Sequence, residues 1–381
     1  MKNLFVKLKN DNLTKLLLST LILFFILNMI LSPAKFIAQG LNGISAWAFN
    51  VLPSVLPFMF FTKALSLLGQ IEKLTRPFQR VTKSLFNTPQ ISFYTFFMAI
   101  LSGYPVGSKM IADLYMQGKI TKNEAFRMSA FCSTSGPMFI IGAVGVGMFK
   151  NSLVGYILFL SHVLSAFLNG LIYRKLGCKK DDYKNKQNKS FQIEKTANES
   201  ENNNRNMKIS KQIKNGKFQI KNVIDKQSKD DNIDTKIDTT NQNDNTNLSK
   251  ENNISKTPDV SEIVLSSTLA ILSVGCIITI FFIIIECLSP IFNLFPENIS
   301  AFLEGLVEIT KGCLSLSALP NVKLAVILAS FVISFGGIST LLQSLTMLQQ
   351  VKMPVKLFAL QKLTHALLSA LISTILVLVF M

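Results

Sequence analysis

Charge is scarce in this sequence. Only 16% of its 381 residues are Asp, Glu, Lys or Arg, against roughly 25% in a soluble globular chain. Acidic residues are the scarcer sign, 22 against 39 basic, which leaves a net charge of +17. There is 1 Trp and there are 2 His, whereas Phe occurs 30 times. The cysteines Cys132, Cys178, Cys276, Cys287 and Cys313 form no CxxC pair. Most lie in apolar segments, where a free thiol behaves as a small hydrophobe, so a disulfide framework or a zinc site is not expected. His162 and His365 lie far apart and neither has a partner at i+4, which excludes HExxH-type metal catalysis. No GxSxG, P-loop or GxGxxG precedes a helix in the required context. No catalytic residue, metal ligand or cofactor is assigned, and the chain reads as a non-enzyme.

The basic excess does not point to nucleic acid. The Lys and Arg residues sit between apolar runs and in one polar tract, not on a face interleaved with aromatics. Basic loops beside apolar spans are what the positive-inside rule describes. The lipid bilayer is the expected partner, and the expected fold is an all-α, multi-pass integral membrane protein in two membrane halves.

Nine apolar stretches carry that expectation: 14–33, 41–62, 91–112, 128–149, 152–173, 261–288, 298–319, 323–349 and 356–381. Each approaches the ~20 residues needed to span a bilayer. The domains are therefore a cytoplasmic N-terminus (1–13), a first membrane half (14–173), a polar cytoplasmic tract (174–260) and a second half (261–381). The run Leu16–Leu31 is long for a signal peptide and reads as a retained signal anchor. The tract is rich in Asn, Lys, Asp, Ser and Thr. It has too little apolar surface to offset chain entropy, and disorder is expected.

Charge also places the loops. The N-terminus, 63–90, 113–127 and the tract are all basic and belong on the cytoplasmic side. Segment 91–112 lies between two of them. The consistent solution is a re-entrant hairpin with its tip at Ser102–Gly107 and arms of about 10 residues, each rising about 15 Å. That reaches about the middle of a ~30 Å core. An ordinary kinked crossing with one basic loop outside is the alternative. Residues 289–310 hold no Lys or Arg and suggest an outside loop.

The spans are interrupted at PSVLP (53–57), SGYPVGSK (102–109), STSGP (133–137) and SFGGIST (334–340), with LVEITKG (306–312) polar inside a weak span. Broken helices near the midplane mark secondary transporters. A helix that restarts after Gly or Pro exposes unpaired N–H groups and a positive dipole end, which suit an anionic ligand. Ser102, Ser108, Thr134 and Ser135 add hydroxyl donors, and Lys109 adds a full charge unless it snorkels to the interface. Gly and Pro at these sites are also compatible with plain helix packing. Glu308 and Thr310 read equally as an outside loop, His162 reads as a packing residue, and Glu286 as interfacial. A faint echo links FFMAILSGYP with ASFVISFGG, and TSGPMFI with TKGCLSL.

At SGYPVGSKMIADLYMQGKIT and FCSTSGPMFIIGAVGVGMF the sequence resembles the YlbJ-type sporulation integral membrane proteins, of the nucleoside-recognition or gate domain superfamily. PSVLPFMFF, GLVEITKG and FGGIST look like the same family. The resemblance covers both membrane halves and departs from the family only in the length of the polar tract. It implies a role in endospore formation, moving dipicolinate from the mother cell across the outer forespore membrane. It also implies an architecture similar to concentrative nucleoside transporters, with the site between two re-entrant hairpins. The corresponding tips are Ser102–Lys109 (Ser102, Gly103, Tyr104, Gly107, Ser108, Lys109) and Ser334–Ser339 (Ser334, Gly336, Gly337, Ser339). Broken spans at Thr134–Pro137 (Thr134, Ser135, Gly136) and Glu308–Gly312 (Glu308, Thr310) lie beside them. Alternative readings are a nucleoside- or cation-type transporter using Glu304 and Glu308, and a non-transporting spore-assembly scaffold tethered by 174–260. A second copy of the chain and other sporulation membrane proteins stand as further candidate partners.

Overall fold

The computed structural model describes residues 12–68, 70–177 and 260–381. Most of the N-terminal segment (1–11) and of the polar tract (178–259) lies outside the described residues, and with them the expectations made for those stretches. Among the described residues there is no strand. Five helical runs are long and apolar enough to cross a membrane: Pro33–Leu65, Ser152–Lys175, Ile263–Phe292, Val322–Val351 and Val355–Phe380. The chain is thus an all-helical, multi-pass integral membrane protein.

Helix α1 (Asn12–Leu31) stops at Ser32, and α2 (Pro33–Ala46) begins with Pro33 in its first turn, where the missing N–H costs nothing. A π-helical turn, Trp47–Val51, leads into α3 (Leu52–Leu67). The span expected at 41–62 is therefore longer, Pro33–Leu65. Pro53 and Pro57 do not end it. The Ser54 hydroxyl donates to the carbonyls of Asn50 (2.9 Å) and Val51 (3.1 Å), a bond back to the preceding turn of the same helix.

The basic stretch 63–90 is helical rather than a loop, with α4 (Gln70–Thr75) and α5 (Gln79–Phe86). Thr82 and Phe86, one turn apart, are buried while Arg80 and Lys83 face outward, so the segment lies along a surface with one face covered.

Next comes a helical hairpin. Helix α6 (Ile91–Ser102) turns at Gly103–Pro105 into α7 (Val106–Met116). Its arms are 12 and 11 residues long, at the place where charge alone suggested a hairpin. Helix α8 (Lys122–Ser129) opens with a capping box between Thr121 and Glu124. The chain then runs unwound through 130–136 and restarts at Pro137 into a π-helix, Met138–Met148. Helix α9 (Ser152–Ile172) closes the first half.

The second half repeats the order. A long crossing, α10 (Val260–Phe292), precedes α11 (Glu297–Val307) and α12 (Ile309–Ser317). These two form an antiparallel hairpin about Glu308. A Cβ on Gly312 would lie 2.0 Å from the Gly305 Cα, so only paired glycines let the arms meet this closely. Ser315 bonds Glu304 across the same seam. Helices α13 (Val322–Phe335) and α14 (Gly337–Met347) form the broken crossing, and α15 (Val355–Phe380) is the closing helix.

This corrects one expectation. The second hairpin tip is Glu308, not Ser334–Ser339; the latter is a break within the 30-residue run Val322–Val351. The echo noted in the sequence is crossed for the same reason: SGYP corresponds in order to the Glu308 turn, and STSGP to SFGG.

Buried polar contacts hold the breaks in place. Ala130 ends α8, and its carbonyl accepts from Asn169 Nδ2 at 2.7 Å, which also bonds the Gln361 carbonyl at 3.0 Å. Gln361 in turn bonds Ser129 (2.8 Å) and the Phe126 carbonyl (2.8 Å). In lipid an unsatisfied backbone group costs several kcal/mol, so Asn169 and Gln361 are what allow the chain to unwind there.

Candidate functional site

Both hairpin turns, the first break and the first turns of α14 line one cavity of about 140 Å³, several times the ~30 Å³ share of one water molecule. The first hairpin contributes Ser102–Val106, and the first break contributes Ser135, Gly136, Met138 and Phe139. The second hairpin contributes Glu308–Thr310, and α14 contributes Ser339, Thr340 and Gln343. Val51, Val55, Phe58 and Met59 from the first crossing and residues of α10 from Ala270 to Ile278 make an apolar opposite wall. A cavity with one polar and one apolar side suits a small ring bearing polar substituents.

Backbone contact brings the breaks together. Gly103 has φ +72, and a Cβ there would lie 2.8 Å from the Gly136 nitrogen. Gly336 and Gly337 have φ +93 and +64, and a Cβ on Gly337 would lie 3.1 Å from the Val307 carbonyl oxygen. In each half, the hairpin turn thus rests on the break of the broken crossing. The halves are joined by Tyr104, whose hydroxyl lies 3.6 Å from where a Cβ on Gly336 would be.

Helix starts converge on the cavity. Those at Val106, Met138 and Gly337 have no side-chain cap, so their positive dipole ends are not offset by a capping side chain, although the Val106 N–H itself donates to the Gly103 carbonyl at 3.1 Å. The fourth start, Ile309, is capped by Glu308, whose carboxylate accepts from the Lys311 N–H at 2.8 Å.

Of the residues singled out in the sequence, Ser102, Gly103, Tyr104, Ser135, Gly136, Glu308, Thr310 and Ser339 line the cavity. Gly107 does not; it presses on the Cys132 carbonyl. Ser108 and Thr134 are buried with hydroxyls that have no hydrogen-bond partner and do not face the cavity. Ser334 lies behind it, with its hydroxyl 2.8 Å from His162 Nδ1. Gly336 and Gly337 form the second break. Lys109 is exposed and does not line the cavity. It stands about 200° round the helix from Gly107, whose face is the packed one, so the charge expected at the tip is turned away.

Three residues of the site were not assigned from sequence. His162 Nε2 accepts from the Ser135 N–H at 2.9 Å, so its proton sits on Nδ1, which donates to Ser334. This histidine ties the first break to the end of α13. His365 donates from Nε2 to the His162 carbonyl at 3.1 Å. Lys362 is buried in α15, with Nζ 2.5 Å from the Tyr104 hydroxyl and 2.9 Å from the Ser133 carbonyl. Lys362 and His365 lie in a crossing helix beside Gln361 and Thr364, and an ionisable residue inside a span is itself a signal of function.

The fold and the cavity define a class: a multi-pass membrane protein of two similar halves with interrupted helices around a cavity that has one polar and one apolar side. Over 178 residues the chain is 33% identical to the sporulation integral membrane protein YlbJ of Bacillus subtilis (strain 168). The match covers 45% of this chain and 43% of that protein, less than half the length of each. It supports a YlbJ-type family and makes the chain a homologue of a sporulation membrane protein. No family model matches the chain, and no solved structure matches it.

Proposed function

We propose that the chain is a membrane transporter or facilitator of a small organic anion, dipicolinate, moved across the outer forespore membrane during endospore formation. The observation that carries this is the meeting of both hairpin turns, the first break and the first turns of α14 at one cavity of about 140 Å³. Three helix starts without a side-chain cap bring partial positive charge towards it, and the apolar wall suits an aromatic ring. In this reading the hairpins Ile91–Met116 and Glu297–Ser317 enter and leave on one side of the bilayer, as in concentrative nucleoside transporters. The chain then does no covalent chemistry.

A second reading rests on Glu308. Its carboxylate is buried and lines the cavity, which favours a nucleoside or cation rather than an anion. Competition separates the two. In proteoliposomes, unlabelled dipicolinate should suppress uptake of labelled dipicolinate while uridine and adenosine do not. Suppression by the nucleosides at comparable concentration would replace the anion reading with the second.

A further inference from the structure

Lys362 sits about two turns into α15 and is 2% exposed. Among the described residues no carboxylate pairs with it; its hydrogen-bond partners are a hydroxyl and a carbonyl. Every group around the ammonium is neutral. Nζ donates to the Tyr104 hydroxyl and the Ser133 carbonyl, and the Tyr104 ring centroid lies 4.6 Å away. His365, one turn along the helix, uses its Nε2–H on the His162 carbonyl, and His162 accepts an N–H at Nε2. An ammonium has three donors, and two acceptors account for two of them. A lone cation at this depth is costly unless it is paired or reaches water.

The position of Tyr104 gives the arrangement a direction. Tyr104 lines the cavity and Lys362 does not. The phenol therefore stands between the pocket and the charge. Tyr104 is carried at a hairpin turn, directly after Gly103, rather than inside a helix. A turn is where a side chain can be repositioned without unwinding a helix.

We propose that Lys362 is the counter-charge for a carboxylate of the transported anion, and that Tyr104 is the shutter that covers it until the ligand enters. This rests on the anion reading above. When the ligand arrives, its carboxylate replaces the hydroxyl on Nζ, and the first hairpin turn shifts with the displaced ring. Ligand binding is thereby linked to movement of the element that closes the cavity.

The test is equilibrium binding to the purified full chain, with labelled dipicolinate and with pyridine-2,6-dicarboxamide, a near-isosteric uncharged probe. The native chain should bind the dicarboxylate more tightly than the dicarboxamide. Lys362→Gln keeps a donor for Tyr104 or Ser133 but removes the charge. It should lose about 10- to 100-fold in dipicolinate affinity and leave the dicarboxamide unchanged. Lys362→Arg should keep the preference for the charged probe. Tyr104→Phe removes the competing hydroxyl and should tighten dipicolinate binding several-fold. If the native chain binds neither probe, the anion reading fails. If it binds dipicolinate and Lys362→Gln binds it equally well, the assignment of Lys362 fails alone. Weaker binding in Tyr104→Phe would make the hydroxyl a ligand contact and end the shutter role. Should Lys362→Gln not fold, the Arg and Phe variants still decide the matter.

Discussion

Gly103 and Gly136 meet backbone to backbone, so that a Cβ on Gly103 would fall 2.8 Å from the Gly136 nitrogen. This contact seats the first hairpin turn on the first broken crossing. Gly103→Ala should combine a steric clash with the strain of φ +72, costing about 1–3 kcal/mol and lowering the thermal midpoint in detergent. Gly118→Ala is the control: its φ is +68, but nothing lies within 4 Å of the added carbon. It should show only the backbone penalty, about 1–2 kcal/mol, with transport unchanged.

Gly136→Leu and Gly337→Leu should abolish flux, because each forces a side chain into the contact between a hairpin and its break. For Gly337 the added carbon would meet the Val307 carbonyl oxygen at 3.1 Å. Flux at the native rate in both variants, with native abundance, would remove the interrupted backbone from the mechanism.

His162→Ala removes the acceptor of the Ser135 N–H and the partner of Ser334. Leaving a buried donor unpaired costs about 1–3 kcal/mol, so the variant should unfold at lower temperature and lose flux. A variant as stable and as active as the native chain would show that the histidine does not hold the two breaks together.

Glu308→Gln keeps an acceptor for the Lys311 N–H and removes the charge from the cavity wall. Under the anion reading dipicolinate flux should be retained or increased, since a carboxylate repels a dianion. Loss of flux with an intact fold would favour the nucleoside or cation reading.

Lys109→Ala should leave flux within about twofold of the native rate, because an exposed side chain away from special contacts is close to neutral. A large loss would return this lysine to the site.

Several of these features could be read from the sequence. The interruptions at SGYP, STSGP and the Glu308 turn reach one cavity, while FGG precedes the turns of α14 that line it; Gly, Pro and hydroxyl residues inside apolar runs mark where helices break. The first hairpin could be placed from loop charge, since basic residues flank 91–112 on both sides. The second could not. Its loop carries no basic residues, and its signature is the pair Gly305 and Gly312, seven residues apart about Glu308, which looks like an ordinary weak span. The double glycine at 336–337 drew attention as a turn, yet it serves a break within a crossing. Lys109 stands out in the sequence because it is near the tip, whereas Lys362 is not singled out there. Which of two lysines faces inward is decided by helix packing, which periodicity in a nearly uniform apolar run does not reveal.

The most direct measurement is flux of labelled dipicolinate into proteoliposomes containing the purified chain, with and without imposed pH and sodium gradients. The account predicts uptake well above that of empty liposomes, abolished by Gly337→Leu. Uptake equal to that of empty liposomes under every gradient, with correctly folded protein in the membrane, would contradict it.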